Sequence, residues 1–135
     1  MAGFLTDVVN NKLLDCYFGG APIVPSLTLH VGLSSFKANR AGKVVEPVGG
    51  SYARVSLRND RVHFPDASLG SKYNARPITF PIPSAHWGPI QCLLIADSPI
   101  GGQVLAMADL PGPRTIHSGD PALTLAAHAL FLSQA

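Results

Sequence analysis

The side chains that could do chemistry in this 135-residue chain are five histidines, two cysteines and eight carboxylates. His30, His63, His86, His117 and His128 stand singly, and no HxH, HExxH or Cys/His zinc spacing joins them. Cys16 and Cys92 lie far apart in apolar surroundings without a CxxC, and read as buried free thiols. No GxSxG elbow presents a nucleophilic serine, and Gly101-Gly102 lacks the Lys-Ser/Thr that completes a phosphate loop. Glycoside hydrolysis needs two carboxylates facing across a cleft. Most acids here adjoin Gly, Pro, Ser or Asn, and Asp97 and Asp120 read as turn formers. Trp87, the single tryptophan, sits in Ala85-His86-Trp87-Gly88-Pro89 before a strongly apolar run. An exposed sugar platform is one use for it, and a core anchor is the favoured reading. The expectation is a protein with no catalytic residue, no metal and no cofactor.

Binding to other proteins fits the composition better. Charged residues make up 13% of the chain, against about 25% in an ordinary soluble domain. The hydrophobic share is ordinary, so the deficit falls on the surface, which suits coverage by neighbours. A homo-oligomer, dimer or trimer, is expected. The net charge of +2 is unevenly spread. Eight basic residues fall between Lys37 and Arg76 with only three acids, while the flanks hold two basic and five acidic residues. Lys37, Arg40, Arg54, Arg58 and Arg61 are therefore the candidate protein-interaction residues, facing acidic patches on a partner. The basic residues are dispersed with few aromatics between them, so nucleic acid is not the expected partner. No apolar stretch is long enough to cross a membrane as a helix. Met-Ala-Gly-Phe followed by an early Asp7 lacks the basic start of a secretory signal, so synthesis in a cytoplasm is expected.

The elements that would position these residues follow from periodicity. Leu5, Val9, Leu13, Cys16 and Tyr17 recur at helical spacing, predicting one helix over about residues 4–18, ended by Gly19-Gly20 and Pro22. Leu27, Leu29, Val31 and Leu33 alternate with polar or small residues, as in a half-buried strand. Residues 34–51 read as a long surface loop with room for one short strand. Residues 52–58 alternate again, with Ala53, Val55 and Leu57 on one face and Tyr52, Arg54, Ser56 and Arg58 on the other. A short strand is expected over 62–64. Residues 78–82, bracketed by prolines, suit only an edge. Residues 90–96 suit a central strand, 103–108 its hairpin partner, and 114–117 another short strand. Residues 122–132 are expected as a final strand, bulged near Ala126-Ala127, with a helix as the alternative. Together these elements predict a mainly β, single-domain chain over 1–135: a β-sandwich or small jelly-roll-like barrel with one short N-terminal helix.

The order of several segments carries a resemblance. These are Gly49-Gly50-Ser51-Tyr52-Ala53-Arg54, Ile78-Thr79-Phe80-Pro81, Trp87-Gly88-Pro89-Ile90, Ala96-Asp97 with Gly101-Gly102 and Val104-Leu105, and Ile116-His117-Ser118-Gly119-Asp120. Over about residues 27–132 the chain resembles small tailed-bacteriophage virion proteins, of tail-fibre, minor-tail or capsid cement and decoration type. The resemblance implies a virion structural protein without a catalytic site. A fibre shaft needs repeats, heptads or a long β-helix, and none is present. The expectation is therefore a cement protein on the capsid surface that binds the major capsid protein or other virion proteins, with a tail-fibre or tail-tip protein engaged in host attachment as the alternative.

Overall fold

The computed structural model describes residues 1–133. In chain order the elements are β1 (Ala2–Leu5), α1 (Asp7–Tyr17), β2 (Thr28–Ser34), β3 (Val55–Arg58), β4 (Ser71–Tyr73), β5 (Ile78–Thr79), β6 (Gly88–Ala96), β7 (Val104–Ile116), β8 (Thr124–Leu125) and β9 (Phe131–Ser133). A seven-stranded sheet runs β3-β2-β6-β7-β1-β9-β4, and a two-stranded sheet pairs β5 with β8. Neighbours are antiparallel except β1 and β9, which run parallel. The mainly β, sandwich-like fold with one short helix is as expected.

The hairpin of β6 and β7 forms the centre. Along β6 the side chains alternate between two faces. Leu93 and Ile95 join Val31, Leu33, Ala106 and Ala108 in the main core, closed by Ile78, Phe80, Leu125 and Leu130 from the small sheet and its flanks. Cys92, Leu94 and Ala96 join Met107 on the opposite face, beneath Ala38 and Val44 of the long loop. A strand buried on both faces must be apolar throughout, which accounts for the unbroken run over 90–96. β2 is also covered on both faces from His30 to Ser34, where alternation alone predicts one wet face. The difference lies in the 35–54 segment, which folds back across the sheet: Ser35 N–H donates to the Val45 carbonyl, and the Ser34 hydroxyl oxygen accepts from Val45 N–H.

Five local outcomes depart from the sequence reading. The helix begins at Asp7, because Ala2–Leu5 extend as a strand between β7 and β9. Thr6 sits at the N-cap, but its hydroxyl donates to the Val104 carbonyl at 2.8 Å, tying the helix start to β7. No α1 residue is fully buried, and Cys16 is half-buried, where a buried thiol was expected. Residues 62–64 form a turn rather than a strand, with Asp60 Oδ1 accepting from the backbone N–H of Val62 and His63.

The other two departures concern β7 and the C-terminal region. β7 is longer than expected and absorbs the separate strand foreseen over 114–117. Between the pairs Ile90↔Arg114 and Cys92↔Asp109, Gln91 on β6 faces four β7 residues, 110–113. That excess is a bulge carrying Pro111-Gly112-Pro113 outward, and prolines are tolerated where no ladder bond is needed. The final strand is split in two. β8 joins the small sheet and β9 the large one. The turn between them, with His128 at φ 67, is held by Asn74, which is 2% exposed. Its amide donates to the Ala126 and Arg76 carbonyls at 3.0 and 2.9 Å, and its oxygen accepts from Leu130 N–H at 2.9 Å. The chain has no helix, among the described residues, long and apolar enough to cross a membrane.

Candidate functional site

The five candidate interaction residues separate into three environments. Arg54 precedes β3, and its side chain is 4% exposed. Its guanidinium makes a bidentate pair with Glu46, Nε to Oε1 at 2.9 Å and Nη2 to Oε2 at 2.8 Å. Nη1 donates to the Ser98 and Gly101 carbonyls at 2.6 and 2.8 Å, so the long loop, β3 and the β6–β7 turn are fastened by one side chain. Tyr52 completes the cluster: its hydroxyl donates to Glu46 Oε1 at 2.6 Å and accepts from Leu33 N–H at 2.9 Å. Burial alone would raise the Glu46 carboxyl. The hydrogen bonds from Arg54 and Tyr52, with the Arg54 charge, outweigh it and hold the group below the ordinary carboxylate value of 4.5. Burial and the Glu46 hydrogen bond push the Tyr52 phenol well above its ordinary 10. The Glu46 hydrogen bond likewise raises Arg54. A guanidinium so enclosed, with four of its five N–H donors engaged inside the fold, holds the loop, strand and turn together.

Gly32 makes room for this cluster. A Cβ there would lie 2.7 Å from both Glu46 Oε1 and the Tyr52 hydroxyl. A glycine inside an alternating strand is the one sequence signal of close approach over that face. Glu46, Tyr52 and Asn74 were not singled out as structural keys by sequence reasoning.

Arg58 and Arg61 do face solvent. Arg58 is 82% exposed and stands 3.9 Å from Asp60, while Arg61 is 86% exposed and 3.3 Å from Asp66. Both pairs are loose surface contacts of little energetic value. The Asp60 carboxylate itself is turned to His63, whose ring and backbone N–H hydrogen-bond to it and hold it below its ordinary value.

Lys37 and Arg40 lie on the long loop, both exposed. Arg40 is partly engaged: its guanidinium stands 5.0 Å over the Phe4 ring, and its carbonyl accepts from Asp7 N–H at the start of α1. Phe4 belongs to β1, four strands from β3 in the sheet, on the order of 19 Å at the usual strand spacing. The structure therefore does not gather the basic candidates into one patch.

The aromatic candidates are placed as anchors. Trp87 is 7% exposed, donates from Nε1 to the Gly50 carbonyl at 2.7 Å, and meets Tyr52 edge-on at 5.3 Å. Tyr73 is half-buried against His128. His86 and His117 meet edge-on at 5.3 Å near the end of β7. Among the described residues, no three His, Cys, Asp or Glu side chains converge as metal ligands. Asp97 and Asp120 serve turns as expected, accepting from Gln103 and His117 backbone N–H at 2.8 Å each.

The surface also carries large apolar side chains. Tyr17, Phe18, Val24 and Leu27, on the end of α1 and the segment after it, are each more than 80% exposed. Val24 also lines a mostly apolar cleft of about 390 Å³ between α1 and the sheet.

No curated protein matches the chain. A family match, by contrast, spans nearly all of it and accords with the mainly β fold. The chain belongs to the family described as podophage GP4 fiber I protein gp80, which it matches over residues 5–133.

Proposed function

We propose that the protein is a structural subunit of a podophage fibre, placed by contacts with other virion proteins and turning over no substrate. The observation that carries this reading is the family match over residues 5–133. The physical character of the molecule supports it. Its titratable clusters are spent on loops and turns, as with Glu46, Tyr52 and Arg54. Its surface keeps few charges and several large apolar side chains, a combination suited to burial against neighbours. Arg58 and Arg61, with Lys37 and Arg40 elsewhere on the surface, are among the exposed basic groups placed to meet acidic partners.

The capsid cement reading is the second one. It is favoured by the compact unit without shaft-forming repeats and by the charge-poor surface. In it, the same residues meet the major capsid protein, and a dimer or trimer spans adjacent shell subunits. Quantitative mass spectrometry of purified particles, with immunogold labelling of the protein, separates the two. A few copies per particle with label at the tail is the expected result. A ratio near that of the major capsid protein, with label over the shell, replaces the fibre reading by the cement reading.

A further inference from the structure

We infer that β3 is a docking edge to which an extended segment of another virion protein, bearing a carboxylate beside Arg58, adds as a further antiparallel or parallel strand. The inference rests on the reading of the chain as a virion structural protein. β3 ends the seven-stranded sheet and pairs with β2 alone. The phase of its backbone groups is fixed by its neighbours. Leu33 N–H points across to the Tyr52 hydroxyl, and Asn59 N–H donates to the Leu27 carbonyl. With Val31 opposite Val55 and Leu29 opposite Leu57, the two-residue period turns Val55 and Leu57 toward β2. It turns the N–H groups of Ser56 and Arg58 outward. An open cleft of about 550 Å³ runs beside them, lined by Leu27, Thr28 and residues 56–60.

The opposite edge differs. Ser68 and Ser71 exchange both backbone hydrogen bonds at 3.0 Å beside β4, which takes up part of that edge. On β3 the Asp60 N–H takes up the Arg58 carbonyl at 3.1 Å, but the Ser56 and Arg58 N–H groups are not taken up among the described residues, and the strand has neither the proline nor the bulge that commonly blunts an edge. Strand addition supplies affinity through main-chain bonds and specificity through side chains on the neighbouring strand. Arg58, held only loosely by Asp60, supplies the specificity here, since opposite charges on facing strands attract and like charges repel. Exposed Arg58 and Arg61 beside this edge favour an acidic segment over a second copy of the same edge, which would bring the same two arginines of both chains together.

Residue-level hydrogen exchange on the full chain, free and within purified particles, tests this. The Ser56 and Arg58 amides are expected to exchange at least tenfold more slowly in particles, while Val55 and Leu57, already bonded, change little. Ser56→Pro removes the outward donor without touching the β2 ladder, and should cut incorporation into particles at least tenfold. Ser56→Ala, which loses only the hydroxyl contact to His30, should incorporate normally. Arg58→Glu should reduce incorporation as well. Unchanged Ser56 and Arg58 exchange in particles that do contain the protein overturns this inference alone, even if Ser56→Pro fails to fold. Protection already present in a dimer of the free protein assigns the edge to a second copy and overturns the acidic partner. Absence of the protein from particles overturns the structural reading and this inference with it.

Discussion

Replacing Arg54 by Met tests whether this residue is a fold fastener rather than a partner contact. The substitution keeps much of the aliphatic stem and removes four hydrogen bonds, two to Glu46 and one each to the Ser98 and Gly101 carbonyls. Removing one member of a buried ion pair costs about 3–5 kcal/mol, because the other charge stays behind unpaired. Glu46 keeps 22% of its side chain exposed, and the freed carbonyls border solvent, so the lower end applies. A loss of about 3 kcal/mol corresponds to a fall in Tm of roughly 10 °C for a domain of this size. Urea denaturation of the wild type, R54M, Glu46→Gln and the double variant measures it as a cycle. Glu46→Gln removes the charge that R54M strands, so the double variant should be more stable than the two single losses predict, by at least about 1 kcal/mol. A single-variant loss under about 1 kcal/mol, or strict additivity, would refute the reasoning and return Arg54 to the surface candidates.

The same cluster sets two pH limits. Glu46 is depressed in the folded state, so its contribution is complete above its ordinary 4.5 and is lost as pH falls through the lower folded value. Tyr52 is raised, so its contribution is complete below its ordinary 10 and is lost as pH rises toward the higher folded value; Tyr52→Phe should abolish that alkaline slope in denaturation midpoints measured against pH. Asn74→Ala strands the Ala126 and Arg76 carbonyls and the Leu130 N–H, and a loss of about 2–4 kcal/mol in equilibrium unfolding is expected. Asn74→Asp should be worse, since it points a buried carboxylate at two carbonyl oxygens. In thiol titration of the native protein, Cys16 should react and Cys92 should not, because burial pushes the Cys92 thiol up to about 11 and leaves it no exposure; two fast thiols would contradict its place in the sheet.

The parts of the fold legible in the sequence were those governed by local periodicity. Leu93 and Ile95 against Cys92 and Leu94 fill two faces at once, and only a central strand has two faces to fill. The hairpin to residues 103–108 followed from Asp97 and the Gly101-Gly102 turn, and the structure forms it there. The helix start was misread because Leu5 fits a helical stripe and an alternating strand equally well. What decides between them is β7, about a hundred residues away in the chain. The burial of Arg54 was hidden for a related reason. Alternation puts it on the face opposite Val55 and Leu57, and a loop of polar and glycine-rich composition gave no sign that it would cover that face. Asn74 has a side chain whose three bonds all depend on where residues 126–130 come to lie.

The position of β1 between β7 and β9 has a consequence for how the chain folds as it is made. Gly3 must find Ala108 on one side and Leu132 on the other. At about 5–20 residues per second of synthesis, β1 waits roughly 5–20 s for its first partner and somewhat longer for its second. During that interval β2, β3 and β6 can assemble, but the β6 edge that β7 will occupy stays open, and Leu5 has no core to enter. Closure is thus a late event, with the high contact order that slows β proteins. Destabilising changes in β7 should therefore lower the yield of soluble protein more than equal changes in β3, because they prolong the interval in which both β1 and β6 present unpaired edges to neighbouring chains.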